Sequence, residues 1–324
     1  MTRADRPVLV VAEQLDASAD MVVDELNKRA VPVARFDSSD FPRSLTLFAA
    51  HGADRAGWRG VLHDGRRSVR LEDIRAVYHR RPGRPVIAED VPEPYASWAR
   101  EQADAALLNI VSALPVPWIN NPHRDRLASH KPQQLVRATQ AGLRVPRSII
   151  TNDPEAARGF ASEVDVPLIC KPVVGGRLAT GQGRPLMVAT HALDPADIDD
   201  SLRLTAHYVQ EAIPKAYEVR VTVVGKEPFA CTLTATTAEA ATDWRTDPEG
   251  IEFGTTRVPA EVEAALLRFM EGYGLVFGAF DFAVTPDGDW VFFECNPAGT
   301  WAWVESRKGL PIAAAHAEHL RGTT

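Results

Sequence analysis

Asp281, Glu294 and Asn296 stand on two apolar runs that flank Pro286-Asp287-Gly288. A turn tripeptide between aromatic and β-branched runs predicts a β-hairpin. Side chains alternate along a strand, so Asp281 shares a face with Ala279 and Ala283, and Glu294 shares one with Asn296. If the two strands pair about the turn, two carboxylates and an amide oxygen converge on one surface. Acidic groups among phenylalanines are costly to bury unless a cation or hydrogen bonds compensate. Hard oxygen donors suit Mg2+, which combines one or two carboxylates with phosphate oxygens and water. The plainer alternative is a satisfied core carboxylate beside a turn asparagine. The pattern reads as a magnesium-phosphate site, and each carboxylate is expected to be dispensable for folding but not for turnover.

The rest of the chain offers what a nucleotide triphosphate needs: cationic point charges, backbone N–H groups from a glycine loop, and polar contacts for the base and sugar. Lys131 opens a helical pattern, and Lys171 ends a short apolar run. Residues 173–185 follow as a loop holding Gly175, Gly176, Gly181 and Gly183, with Arg177 and Arg184. Gln210 and Glu211 lie in an apolar run that ends at Ile213. In residues 217–224 Glu218, Arg220 and Thr222 share one face, and three valines share the other. Arg245 sits beside Trp244 in a polar loop over 242–247. Singly, each has an ordinary reading as a solvated charge, a turn or a surface ion pair. The joint pattern is the informative one.

Elements must position these residues. Residues 7–12 are a continuous apolar run, as in a buried parallel strand. A helical pattern over 19–29 and a strand over 31–36 make a strand-helix-strand opening. No GxGxxG follows the first strand, so a dinucleotide fold is not supported. Strands are expected at 45–50, 61–69 (with Asp64-Gly65 as a hairpin turn) and 74–78. The last runs into His79-Arg80-Arg81-Pro82, read either as a solvated edge or as a corner that grips carboxylate or phosphate. A helix over 94–114 and the break at Pro115-Val116-Pro117 close this part. Beyond it come helices at 131–142 and from Pro154, the latter capped by Asn152 or Asp153. Strands are expected at 147–151, 166–171, 186–190, 207–213, 217–224 and 229–235, and helices at 259–273 and 310–320. The resulting division is 1–117, 118–205 and 206–324.

With 324 residues the chain is long enough for two or three subdomains. A net charge of −7 and a pI near 5.8 argue against nucleic acid as a partner. Cys170, Cys231 and Cys295 each lie in a strand-like run without a CxxC spacing, as expected of buried free thiols in a reducing cytosol. No apolar run approaches membrane-spanning length, so a cytoplasmic protein without membrane association is expected.

Phe293-Glu294-Cys295-Asn296-Pro297, with the upstream Asp281 and the two lysines, resembles the ATP-grasp superfamily of carboxylate ligases. Tyr78-His79-Arg80-Arg81-Pro82, His130-Lys131-Pro132-Gln133-Gln134-Leu135 and Asn296-Pro297-Ala298-Gly299-Thr300-Trp301 are similar to graspetide synthetases, including the microviridin type. The resemblance covers nearly the whole chain. It implies an α/β (α+β) ATP-grasp fold preceded by an α/β pre-ATP-grasp domain. ATP would be held by Lys131, Lys171, Gly175, Gly176, Gln210, Glu211, Ile213 and Glu218, and Mg2+ by Asp281, Glu294 and Asn296. Arg220 and Arg245 would hold the acceptor carboxylate or acyl phosphate. The implied partner is a precursor peptide of leader plus core, macrocyclised through ω-ester or ω-amide links, and the implied assembly is a homodimer. An ATP-grasp ligase adding an amino acid to a protein or metabolite, and a non-catalytic peptide- or nucleotide-binding protein, are the competing readings.

Overall fold

The computed structural model describes residues 5–52, 57–175, 177–178, 186–242 and 247–322. The chain opens with β1 (Val8–Ala12), α1 (Ala17–Lys28) and β2 (Val33–Phe36). Asp16 caps α1, accepting from the Ala19 N–H at 2.8 Å. Three short strands follow, β3 (Thr46–Ala50), β4 (Arg59–His63) and β5 (Ser68–Arg70), forming an antiparallel sheet of their own. Then come β6 (Ala76–Arg80), α2 (Tyr95–Ser112) and β7 (Trp118–Ile119). The main sheet runs β2-β1-β6-β7, all parallel, so β7 completes it from just beyond Pro117.

Every residue of β1 is buried because both faces are covered. Leu9 and Val11 pack with Leu107 and Val111 of α2. Val8 and Val10 pack instead with apolar residues from the far end of the chain, Ile312, Ala313 and Ala317 among them.

The middle of the chain begins with α3 (Pro122–Ala128) and α4 (Lys131–Gln140). α3, only seven residues long, carries no legible period, although Asn121 caps it by accepting from the His123 N–H and Pro122 occupies its first turn. Gly142, at φ +89°, ends the next helix as expected. β8 (Ser148–Thr151), α5 (Pro154–Glu163), β9 (Leu168–Lys171), β10 (Arg177–Leu178), β11 (Leu186–Met187), β12 (His191–Leu193) and β13 (His207–Glu211) follow. Asp153, rather than Asn152, caps α5. An antiparallel sheet of order β12-β9-β13-β8 forms here, and β10 pairs with β11 as a separate ribbon. The strand expected over 186–190 is therefore only two residues long.

The last part contains β14 (Tyr217–Val224), β15 (Glu227–Ala235), α6 (Ala238–Thr242), β16 (Ile251–Thr255), α7 (Ala260–Tyr273), β17 (Phe277–Val284), β18 (Trp290–Asn296), α8 (Ala302–Lys308) and α9 (Ile312–Arg321). Five antiparallel strands lie in the order β16-β15-β14-β17-β18. α7 covers one face, where Phe269 stacks among Phe280, Phe292 and Tyr273 with ring centroids 5.1–5.6 Å apart. α8 and α9 lie on the other side of the sheet, against the N-terminal strands. α6, β16 and α8 are too short to carry a legible period.

Candidate active site

The hairpin turns as the sequence demands, with Gly288 at φ +88° between β17 and β18. Asp281 lies directly opposite Glu294 across the pair. Beyond them the register shifts, and Phe282 pairs with Phe292, leaving Phe293 as the extra residue of a β-bulge. The bulge lets Phe292 and Cys295 enter the core under α7 while Glu294 and Asn296 face the other way. The Asn296 amide Nδ2 stands 3.3 Å from Asp281 Oδ2 and 3.2 Å from Glu294 Oε1. The two carboxylates and the amide thus converge on one point.

Cations surround that point. Arg220 of β14, opposite Asp281 on its other side, donates from Nε to Oδ1 at 2.6 Å and from Nη2 to Oδ2 at 3.3 Å. Lys131, the first residue of α4, sits 3.3 Å from Glu294 Oε2 and 3.4 Å from the Pro172 carbonyl. Lys171 ends β9 facing Tyr208 of β13, whose ring centroid is 4.6 Å from Nζ, and donates to Gln210 Oε1 at 3.0 Å. Burial, with Lys131 nearby, pushes the Lys171 ammonium down to about 8 despite the opposing attraction of Glu294. An anion arriving between the two lysines would relieve both effects.

The remaining expected residues lie around this centre. Gln210 is buried, its Nε2 donating to Ser148 Oγ at 2.8 Å and to the Tyr208 hydroxyl at 3.2 Å. Glu211 accepts from the Arg147 N–H at 2.9 Å, and Ile213 follows just past the end of β13. Glu218 is paired with Lys215. Gly175 is exposed at the start of the glycine loop. Gly176, Arg184, Trp244 and Arg245 lie outside the described residues.

Arg80 grips a carboxylate, as one of the two readings expected, with its Nε 3.6 Å from Asp16 Oδ2, whereas Arg81 is exposed. Arg80 is 2% exposed and donates from Nη1 to the Ala298 carbonyl at 2.6 Å, and Arg81 Nε donates to the same oxygen at 2.9 Å. The N-terminal sheet thereby grips the loop just after Asn296. The three cysteines are buried and free, as expected.

A family model of the MvdD pre-ATP grasp domain matches residues 7–126. A RiPP-associated ATP-grasp ligase of Chryseobacterium gregarium, solved in complex with ADP and a leader and core peptide, matches at TM-score 0.91 and 25% identity over 98% of this chain and 97% of that one. Macrocyclase MdnC of Microcystis aeruginosa MRC, bound with precursor peptide MdnA, matches at TM-score 0.85 and 26% identity over 97% and 99%. Macrocyclase MdnB of the same organism gives 0.80 and 27% over the same shares. These matches together support a graspetide synthetase of the ATP-grasp superfamily.

The donor set of the site fits magnesium. Two carboxylates and an amide oxygen are hard ligands, and the Asn296 amide presents its oxygen to the same point by turning over. Sequence reasoning missed four residues that build the site. Tyr208 and Ser148 hold Gln210 and Lys171, and Tyr208 could have been found from its i, i+2 relation to Gln210 on one strand face. Asn120, 3% exposed, accepts from the Val276 and Phe277 N–H groups and donates to the Phe277 and Pro297 carbonyls, all at 2.8–2.9 Å. Gln134 is equally buried, against Cys295. Buried carboxamides leave no periodic signal, so these two were illegible.

Proposed function

We propose that the protein is an ATP-dependent ligase that macrocyclises a ribosomally made precursor peptide. A side-chain carboxylate of the peptide attacks the γ-phosphorus of ATP, the bridging O–P bond breaks, and ADP leaves an acyl phosphate behind. A Ser or Thr hydroxyl, or a Lys amine, of the same peptide then attacks the acyl carbon, loses its proton and expels phosphate. Each ring costs the peptide one water and leaves an ω-ester or ω-amide.

The convergence of Asp281, Glu294 and Asn296 between Arg220 and Lys131 carries this reading. These three groups would hold Mg2+, which supplies charge neutralisation to the triphosphate. Lys131 and Lys171 bind phosphate oxygens, with Gln210, Glu211, Ile213 and Glu218 at the base and ribose. Gly175 and Gly176 begin the loop that excludes water from the acyl phosphate. Arg220 orients the Asp281 carboxylate, and its guanidinium edge near Thr300 offers a place for the acceptor carboxylate. Arg245 joins it on the strength of the resemblance.

The test is incubation of purified protein with ATP, Mg2+ and an Asp/Glu-rich peptide that also carries Ser, Thr or Lys. ADP release with the loss of one water per ring from the peptide is expected. A product heavier by one amino-acid residue would make the protein an amino-acid ligase. Nucleotide binding without turnover on any such peptide would make it a binding module.

A further inference from the structure

We infer that Gln134 is a positioning residue for the metal-binding hairpin, an inference that rests on the magnesium reading above. Gln134 lies one turn after Lys131 on α4 and is 2% exposed. Its Oε1 accepts from the Cys295 N–H at 2.8 Å, and its Nε2 donates to the Cys295 carbonyl at 2.7 Å and to the Ala128 carbonyl at 2.6 Å. Both amide protons and one oxygen lone pair are thus engaged, near the capacity of the group.

The partner explains the arrangement. β18 is the edge strand of its sheet, so the backbone groups that point away from β17 have no strand to pair with. At the near end, the Phe292 N–H donates to the Arg144 carbonyl at 2.8 Å. At the far end, the Gln134 amide takes both backbone groups of Cys295, as a neighbouring strand would. Cys295 stands between Glu294 and Asn296, so fixing its peptide groups on both sides fixes where those two side chains leave the strand. The same helix delivers Lys131 to within 3.3 Å of Glu294. Gln134 therefore sets the spacing between a phosphate-binding cation and two metal ligands while touching none of them. Without its amide, the Cys295 N–H and carbonyl would be unpaired in a buried place, and the strand would move to satisfy them.

The experiment compares ADP affinity, with and without Mg2+, by titration calorimetry on full-length wild type, Gln134→Met, Gln134→Glu and the control Gln133→Met. Gln133 is the exposed neighbour of the same chemistry. Met keeps the volume of Gln without its hydrogen bonds, and Glu keeps only the acceptor. For Gln134→Met the metal-free affinity is expected unchanged, while the gain conferred by Mg2+ falls about 10- to 100-fold, as for other residues that orient metal ligands. Gln134→Glu should show a smaller loss of the same gain, and it carries the test if the Met variant does not fold. Gln133→Met should match wild type. A folded Gln134 variant with the full Mg2+ gain, or one whose affinity falls equally with and without metal, would overturn the inference. Wild type showing no Mg2+ gain at all would instead overturn the magnesium reading itself.

Discussion

Asp281 and Glu294 are equivalent in the sequence pattern but unequal in the structure. Arg220, whose side chain is 6% exposed, depends on Asp281 for its charge partner, whereas Lys131, facing Glu294, is 23% exposed. Removing one member of a buried ion pair strands the other charge away from water. Asp281→Ala is therefore expected to abolish turnover and to lower unfolding stability by about 3–5 kcal/mol. Glu294→Ala should abolish turnover while lowering stability by only about 1 kcal/mol or less, as for partly solvated pairs. Denaturant titration of the two variants checks the difference, and equal losses would show that Arg220 finds another partner. The sequence marked both residues as candidate metal ligands because acids on a Phe-rich hairpin demand an explanation. It hid the asymmetry because Arg220 lies 61 residues away and meets Asp281 only through the antiparallel pairing of β14 with β17.

At the level of elements, long periodic segments were legible and short ones were not. β14, α7 and both arms of the β17–β18 hairpin lie where alternation and the 3.6-residue period put them. The bulge at Phe293 was not legible, because one extra residue leaves the composition of an apolar run unchanged. The loop after the hairpin is similarly defined by contact rather than pattern. Gly299 lies so close to β17 that an added Cβ would meet the Ala279 Cβ at 2.5 Å and the Asn296 Cβ at 3.1 Å. Gly299→Ala must push the loop from the strand, at a stability cost of about 1–3 kcal/mol for such overpacking. Because Asn296 is one of the atoms displaced, activity should fall further than stability alone explains. Assay well below the unfolding midpoint checks this, and wild-type rates there would show that the loop yields without moving Asn296.

Across the whole molecule, buried titratable groups set how stability varies with pH. Burial holds His79 down to about 4 and His316 to about 3, against 6.5 when exposed. Below pH 6.5 the unfolded chain binds protons at both that the folded chain refuses, so these two histidines make stability fall on acidification. Asp125 has the opposite sign. Burial raises its carboxyl to about 7 from 3.8, opposed by Asn120 and Arg80, so its contribution falls as pH rises toward 7. Two histidines outweigh one carboxyl below pH 6.5, so the thermal midpoint is expected to climb from acid pH and to level off by pH 7. Asp125→Asn should steepen the climb, and His316→Gln should flatten it. Scanning calorimetry across that range decides the matter, and an unchanged profile in either variant would refute the assignment.

The shared core of β1 and α9 has a consequence for anyone building hybrids of such ligases. Val10 and Tyr78 press on the same apolar cluster as Ile312 and Ala317, so stretches far apart in the sequence form a single seam. A crossover near Pro117 would join an opening segment from one parent to a closing helix moulded on another. Chimeras should survive only when that helix is inherited together with the strands it covers.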